Sequence, residues 1–154
     1  MEHNEAKTKC ALIIPSCDHY SDVWEPFFVQ FFKYWPDCPF PVYLISNFRK
    51  YPDPRVNALL TGKDPGWGGS MRLALEIITT PYFIYMLEDI PLKEKTDTAR
   101  ILKLLSIVID EQAAYLRLYP EPGPDLPYKN YAGIGLIKKD FQPFREFIIR
   151  IVFP

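Results

Sequence analysis

The sequence has few residues of the kinds that build zinc and thiol sites. It contains only two histidines, His3 and His19, so a zinc site with Cys and His ligands is not expected. The three cysteines, Cys10, Cys17 and Cys38, form no CxxC pair, and their odd number argues against a disulfide framework. A protein of a reducing cytosol is therefore expected.

Two common phosphate-binding glycine motifs are also missing. There is no GxxxxGK[ST], and PSCD stands after the first apolar run in place of GxGxxG, which disfavours P-loop NTPases and dinucleotide-binding Rossmann enzymes. A net charge of -1 gives no electrostatic case for a nucleic-acid partner. The longest aliphatic run, residues 104–109, is too short to span a bilayer, and the polar residues 1–9 do not form a signal peptide.

What is present is a globular composition with alternating strand and helix patterns. Hydrophobic residues make up 48% of 154 residues, enough for one domain with a core. The order predicts an α/β fold, a single three-layer αβα domain with a mostly parallel sheet, in which a polar tail (1–9) precedes a core (10–119) and an irregular segment with a terminal helix (120–154). The predicted strands are 10–16, 42–47, 56–60, 82–87, 114–119 and 131–137. The predicted helices are 23–34, 71–79 (capped by Ser70), 96–112 and 141–151.

The run at residues 82–87 predicts a central strand that is buried on both faces. It ends in two carboxylates, Glu88 and Asp89, at the end of the strand where open α/β sheets bind ligands. A divalent cation carrying a phosphorylated ligand would compensate these acids. The alternative is that they cap the next helix or lie in solvent. A second phosphate site could form at the amides of residues 68–70 beside Arg72, and its alternative is a helix cap with an exposed arginine.

The order of these motifs resembles a known family. GWGGSMRLAL (66–75), IITTPY (77–82) and MLEDIPL (86–92) follow one another as in bacterial glycosyltransferases of the GT-A fold, in the group linked to capsule, lipopolysaccharide and other surface glycans. IPSCD (14–18) suits the nucleotide-binding half of that fold. YAGIGLIKKDF (131–141) is similar to the segment that enters the acceptor side.

This resemblance implies transfer of a sugar from a UDP- or GDP-type nucleotide sugar to a hydroxyl of a glycan acceptor. It implies that residues 10–119 bind the nucleotide sugar and that 120–154 lie on the acceptor side. Asp89 is the implied metal or diphosphate contact, for Mn²⁺ or Mg²⁺, and Glu88 lies beside it on the donor. The remaining implied donor-binding residues are Asp18 at the nucleoside, Tyr20 on the base, and Trp67 and Arg72 at the pocket. The implied location is the cytoplasm, at the inner membrane surface.

Two departures from the family pattern leave alternatives open. Ile90 stands where a further acid is common, and the chain ends at Pro154, before the part expected to supply the acceptor side and the catalytic base. No side chain is a convincing base, and Asp125 and Glu121 are candidates only because their loop follows a predicted strand. The apolar residues 147–154 favour a homo-oligomer contact.

The alternatives are therefore of different classes. One is a truncated, non-catalytic GT-A-like module that binds a nucleotide or a partner. Another is a response-regulator-like domain, for which Asp18 and Lys138 fit poorly. For an active enzyme, inversion is favoured over retention because it needs one displacement and one base.

Overall fold

The computed structural model describes residues 2–63, 65–118, 126–136 and 148–151. The chain divides into two compact units, Met1–Ala99 and Arg100–Pro154. The first contains α1 (His3–Lys9), β1 (Cys10–Pro15), α2 (Ser21–Tyr34), β2 (Val42–Ser46), β3 (Val56–Leu60), α3 (Gly66–Ile77) and β4 (Tyr82–Tyr85). The helix α4 (Thr98–Asp110) begins at the boundary, and β5 (Tyr115–Arg117), β6 (Leu126–Pro127), β7 (Ile134–Leu136) and β8 (Ile148–Ile151) follow.

The first unit is built on a four-stranded sheet, all of whose pairings are parallel, in the order β3-β2-β1-β4. β1 pairs with a strand on each side, and all six of its residues are buried. The strand order reverses direction after β3, so right-handed crossovers place α2 and α3 on opposite faces of the sheet. The α/β class with a parallel sheet flanked by helices is thus confirmed.

Each face of the sheet has its own apolar layer. On the side that faces α3, Ala11 and Ile13 of β1 belong to one buried cluster. The cluster also contains Met71 and Ala74 of α3, and Ile78, the residue that follows this helix. The alternate residues of β1 point to the other face, towards α2, whose buried side chains recur at helical spacing. Those side chains are Trp24, Phe27, Phe28 and Phe31.

The strand predicted at residues 82–87 lies at a different place in the sheet than expected. β4 pairs only with β1 among the described strands, so it is an edge strand and not a central one. Its residues alternate between half-buried and exposed, with Phe83 43% exposed. β1 lies in the interior of the sheet instead, because it pairs with β2 on one side and with β4 on the other.

Three further expectations are corrected. Helix α3 begins at Gly66, not after Ser70, which is buried inside the helix. The residues before β1, expected as a tail, form α1 with Ala6 buried. Residues 148–151 form a strand and not the end of a helix, while residues 141–147 lie outside the described ranges.

The second unit contains a separate sheet in the order β5-β8-β7-β6. β5 and β8 are parallel, and the other pairs are antiparallel. The strand expected at 114–119 therefore does not extend the parallel sheet of the first unit. Within the described ranges, no helix combines the length and the apolar character that crossing a membrane requires.

Candidate functional site

The carboxyl edge between β1 and β4 is the topological switch point of the first unit. From β1 the chain proceeds through β2 to β3 on one side, and it returns to form β4 on the other side. Successive connections therefore leave this edge in opposite directions, which opens a crevice between the two strand ends. Ligands of open α/β sheets bind in such crevices.

Glu88 and Asp89 lie at this edge, directly after β4. Pairing continues past the strand, because Met86 N–H donates to the Ile13 carbonyl at 3.0 Å. The Ile90 N–H then donates to the Leu87 carbonyl at 3.2 Å, which closes a β-turn with Glu88 and Asp89 as its two central residues. Neither carboxylate has a hydrogen bond or ion pair to any residue that the structure describes, and Asp89 is exposed.

Asp18 follows β1 and ties its loop to the end of β2. Its Oδ1 accepts hydrogen bonds from the N–H groups of Asn47 and Arg49 at 3.0 and 3.1 Å, and its Oδ2 accepts one from Phe48 at 3.1 Å. In return, the Asp18 N–H donates to the Asn47 side-chain oxygen at 3.0 Å. Desolvation raises the pKa of Asp18, but these N–H groups and the Arg49 guanidinium outweigh it, so the pKa lies below its usual value.

Two exposed aromatic side chains lie next to the reciprocal hydrogen bonds of Asp18 and Asn47, at the carboxyl edge of the sheet. Tyr20 ends a single 3-10 turn that begins at Asp18, and its ring makes an edge contact with His19 at a centroid distance of 5.4 Å. Phe48, whose N–H is held by Asp18, is also largely exposed. Tyr20 therefore lies on the surface beside the switch point and is not folded back onto the core.

Trp67 lies in the first turn of α3 and contacts the end of β4. Its indole Nε1 donates to the Tyr85 hydroxyl at 3.3 Å, and the two rings meet edge to face at 6.4 Å between centroids. Tyr85 precedes Glu88 by three residues. The structure therefore brings the start of α3 and the acidic turn to the same edge of the sheet.

Arg72 lies on the exposed side of α3, one turn after Gly68. No hydrogen bond or ion pair joins it to the described residues, those of the acidic turn included. The two remaining candidates, Asp125 and Glu121, lie outside the described residues.

Glu88 and Asp89 fit one kind of metal ion. In the part of the chain that the structure describes, no three His, Cys, Asp or Glu side chains cluster to form a metal site. Two carboxylates in a turn do suit a hard divalent cation that takes its remaining ligands from water and phosphate. Such an ion would rest on these two side chains and on the ligand it carries.

The thiols are less suited to chemistry than the carboxylates. All three cysteines are free. Burial raises the pKa of Cys10 to about 12 and that of Cys38 to about 11, so neither is a ready nucleophile.

The structure adds three site residues that the sequence did not reveal. Asn47 is the reciprocal partner of Asp18, and Tyr85 is the partner of Trp67. Ser16, at the end of β1, accepts a hydrogen bond from the Trp24 indole at 2.8 Å. Asn47 carried a signal, because it is a polar residue at the end of a predicted strand. Tyr85 carried none, because it lies inside an apolar run.

Comparison with known proteins gives no match: no family model, no curated protein and no solved structure is significantly similar to this chain.

Proposed function

We propose that this chain is a GT-A-type glycosyltransferase that moves a sugar from a UDP- or GDP-type donor to a hydroxyl of a cell-surface glycan, on the cytoplasmic side of the membrane. One observation supports the proposal most directly. Two carboxylates without protein partners among the described residues lie in a turn at the switch point of a parallel sheet. Carboxylates at that place suit a cation that carries a diphosphate.

Each donor-site residue has a role consistent with its position. Asp89 would hold Mn²⁺ or Mg²⁺, with Glu88 beside it, and the bound cation would stabilise the charge of the leaving diphosphate. Asp18 keeps a lone pair on Oδ2 free for an N–H of the base, since that atom accepts only one of the bonds described above. Tyr20 would stack on the base, and the exposed Arg72 would contact the diphosphate.

A non-catalytic GT-A-like module that binds a nucleotide or a partner is the second candidate. It is favoured by Ile90, an exposed apolar residue at the place where the family pattern has a further acid. The two candidates differ in one measurement, which is release or transfer of sugar from nucleotide sugars with Mn²⁺. In either case, we propose that the apolar residues 147–154 contribute to a self-association contact. Sedimentation of the intact chain and of Phe153→Asp, which leaves the β8 residues unchanged, would test this.

The donor site is tested by thermal unfolding with UDP and GDP, with and without Mn²⁺. A nucleotide at a hundred times its dissociation constant should raise the Tm by about 5–10 °C. Asp89→Ala should abolish the metal-dependent part of this rise. Glu76→Ala is the matched control, because Glu76 is an exposed acid near the other end of α3. If no nucleotide raises the Tm, or if both variants respond alike, the proposed site is wrong.

A further inference from the structure

Trp67 differs from the other two tryptophans in its exposure. Its side chain is 66% exposed, whereas Trp24 and Trp35 are each 3% exposed. The buried pair have structural partners, since their indole N–H groups donate to Ser16 and Thr98. A large aromatic ring on the surface is available to a ligand, which would gain the stabilisation of burying its apolar area.

The indole ring is held in place while its surface stays open. Its one polar atom is occupied, because Nε1 donates to the Tyr85 hydroxyl, so the exposed part is carbon. The residues on both sides, Gly66 and Gly68, have no side chain, and a Cβ at either would meet no other atom within 4 Å. The indole ring of Trp67 is therefore an oriented apolar surface, and the two adjacent glycines leave open space beside it.

Acceptor groups lie along the same edge of the sheet. Tyr85 is the last residue of β4, and Glu88 and Asp89 follow in the turn, without partners among the described residues. A flat apolar surface near carboxylates matches the chemistry of a sugar ring. The C–H groups of such a ring pack on the negative face of an aromatic system, and its hydroxyls donate to carboxylate oxygens.

We propose that Trp67, oriented by Tyr85, is the platform on which a pyranose ring lies during transfer. This inference rests on the proposed function and names the part of the substrate that the Trp67 ring contacts. A nucleobase fits less well, because the proposed function places the base at Asp18 and Tyr20, and because a pyranose ring presents more hydroxyl donors to the two carboxylates than a base has N–H groups. The pyranose ring belongs either to the donor or to the acceptor glycan, and the chemistry of the contact is the same.

Acrylamide quenching of tryptophan fluorescence measures this contact directly, because Trp67 is the only quencher-accessible tryptophan. Quenching is followed with Mn²⁺ and UDP, UDP-glucose, GDP, GDP-mannose, maltotetraose or mannotetraose. Trp67→Phe should remove the quenchable emission. We expect at least one sugar compound to suppress quenching of the wild-type protein, while the bare nucleotides leave it unchanged. Suppression by a nucleotide sugar assigns the donor ring, and suppression by an oligosaccharide assigns the acceptor ring.

Trp67→Ala should weaken binding of the protecting sugar compound about tenfold and leave UDP or GDP binding unchanged. Ile77→Ala, which truncates an exposed apolar side chain at the other end of α3, is the control and should change neither. Equal suppression by bare nucleotides overturns the inference in favour of a base platform. Nucleotides that raise the Tm without any sugar suppressing quenching overturn it while the proposed function stands. Failure of both readouts refutes both.

Discussion

Two carboxylates organise loops by accepting several hydrogen bonds each. Asp18 fastens the loop after β1 to the N–H groups that follow β2. Glu111, directly after α4, accepts from the hydroxyls of Tyr128 and Tyr131 at 2.7 and 2.9 Å, and it pairs with Lys129. In both cases the loop lacks the regular backbone hydrogen bonds of a helix or a sheet. One ionised carboxylate holds the loop instead, because it accepts several strong hydrogen bonds.

The Glu111 contacts predict a pH dependence in the second unit. The hydrogen bonds from Lys129, Tyr128 and Tyr131 lower the pKa of Glu111 from 4.5 to about 2. A lowered pKa contributes stability that is complete above the unfolded-state value and is lost as the pH falls from about 4.5 to about 2. Glu111→Gln should therefore weaken amide-exchange protection of Tyr131 and Ile134 at pH 6 and have a much smaller effect near pH 2.

Glu94→Gln, which changes an exposed acid without a partner among the described residues, is the control for this titration. It should leave the exchange of Tyr131 and Ile134 unchanged at both values of pH. A Glu111→Gln effect of equal size at pH 2 and pH 6 would contradict the assigned role of the carboxylate.

Among the elements, α3 shows how glycines set a helix start. Gly66 has a φ of 74°, a left-handed conformation that most residues avoid, and it turns the chain into the helix. Gly69 lies against Pro65, where an added Cβ would come within 2.7 Å of the proline Cβ. The helix therefore begins four residues before Ser70, and this early start is what places Trp67 beside β4.

Two substitutions in the first turn of α3 should have opposite effects. Gly68→Ala meets no atom within 4 Å, so it should stabilise the first unit by about 0.5–1 kcal/mol through helix propensity. Gly69→Ala forces the Pro65 ring to move and should cost about 1–3 kcal/mol. Urea unfolding followed by tryptophan fluorescence measures both, since all tryptophans lie in the first unit. Equal effects of the two changes would refute this geometry.

Local sequence patterns predicted which segments form strands and helices better than they predicted which elements lie next to each other. The strand at Val56–Leu60 has the expected bounds. The position of Glu88 and Asp89 at the carboxyl edge was predictable, because alternating strands and helices fix which edge a strand end reaches. An apolar run such as 82–87 does not encode how many strands flank it, so β4 was expected at the centre. The contact of Trp67 with Tyr85 depends on where α3 packs, which no local pattern contains.

For the first unit as a whole, the strand order predicts how stability is distributed between the centre and the edge of the sheet. Phe27 of α2 is 1% exposed, and Phe27→Ala should cost about 3–5 kcal/mol, the usual range for a buried phenylalanine. The same substitution at Phe83 removes a half-covered ring from the edge strand, and it should cost only about 1–2 kcal/mol. Ile13→Ala, on the central strand, should cost about 2–5 kcal/mol although it deletes fewer atoms.

Urea unfolding of these three variants, followed by tryptophan emission, measures the free energy of unfolding of the first unit. The informative comparison is between Phe83→Ala and Ile13→Ala, because Phe83 is half-exposed on the edge strand whereas Ile13 is fully buried on the central strand. A loss at Phe83 equal to that at Phe27 would mean that the face of β4 that carries Phe83 is buried, as the sequence alone predicted. Another layer of the chain would then cover β4, while the crevice between the carboxyl ends of β1 and β4 would remain, because a switch point lies between two neighbouring strands.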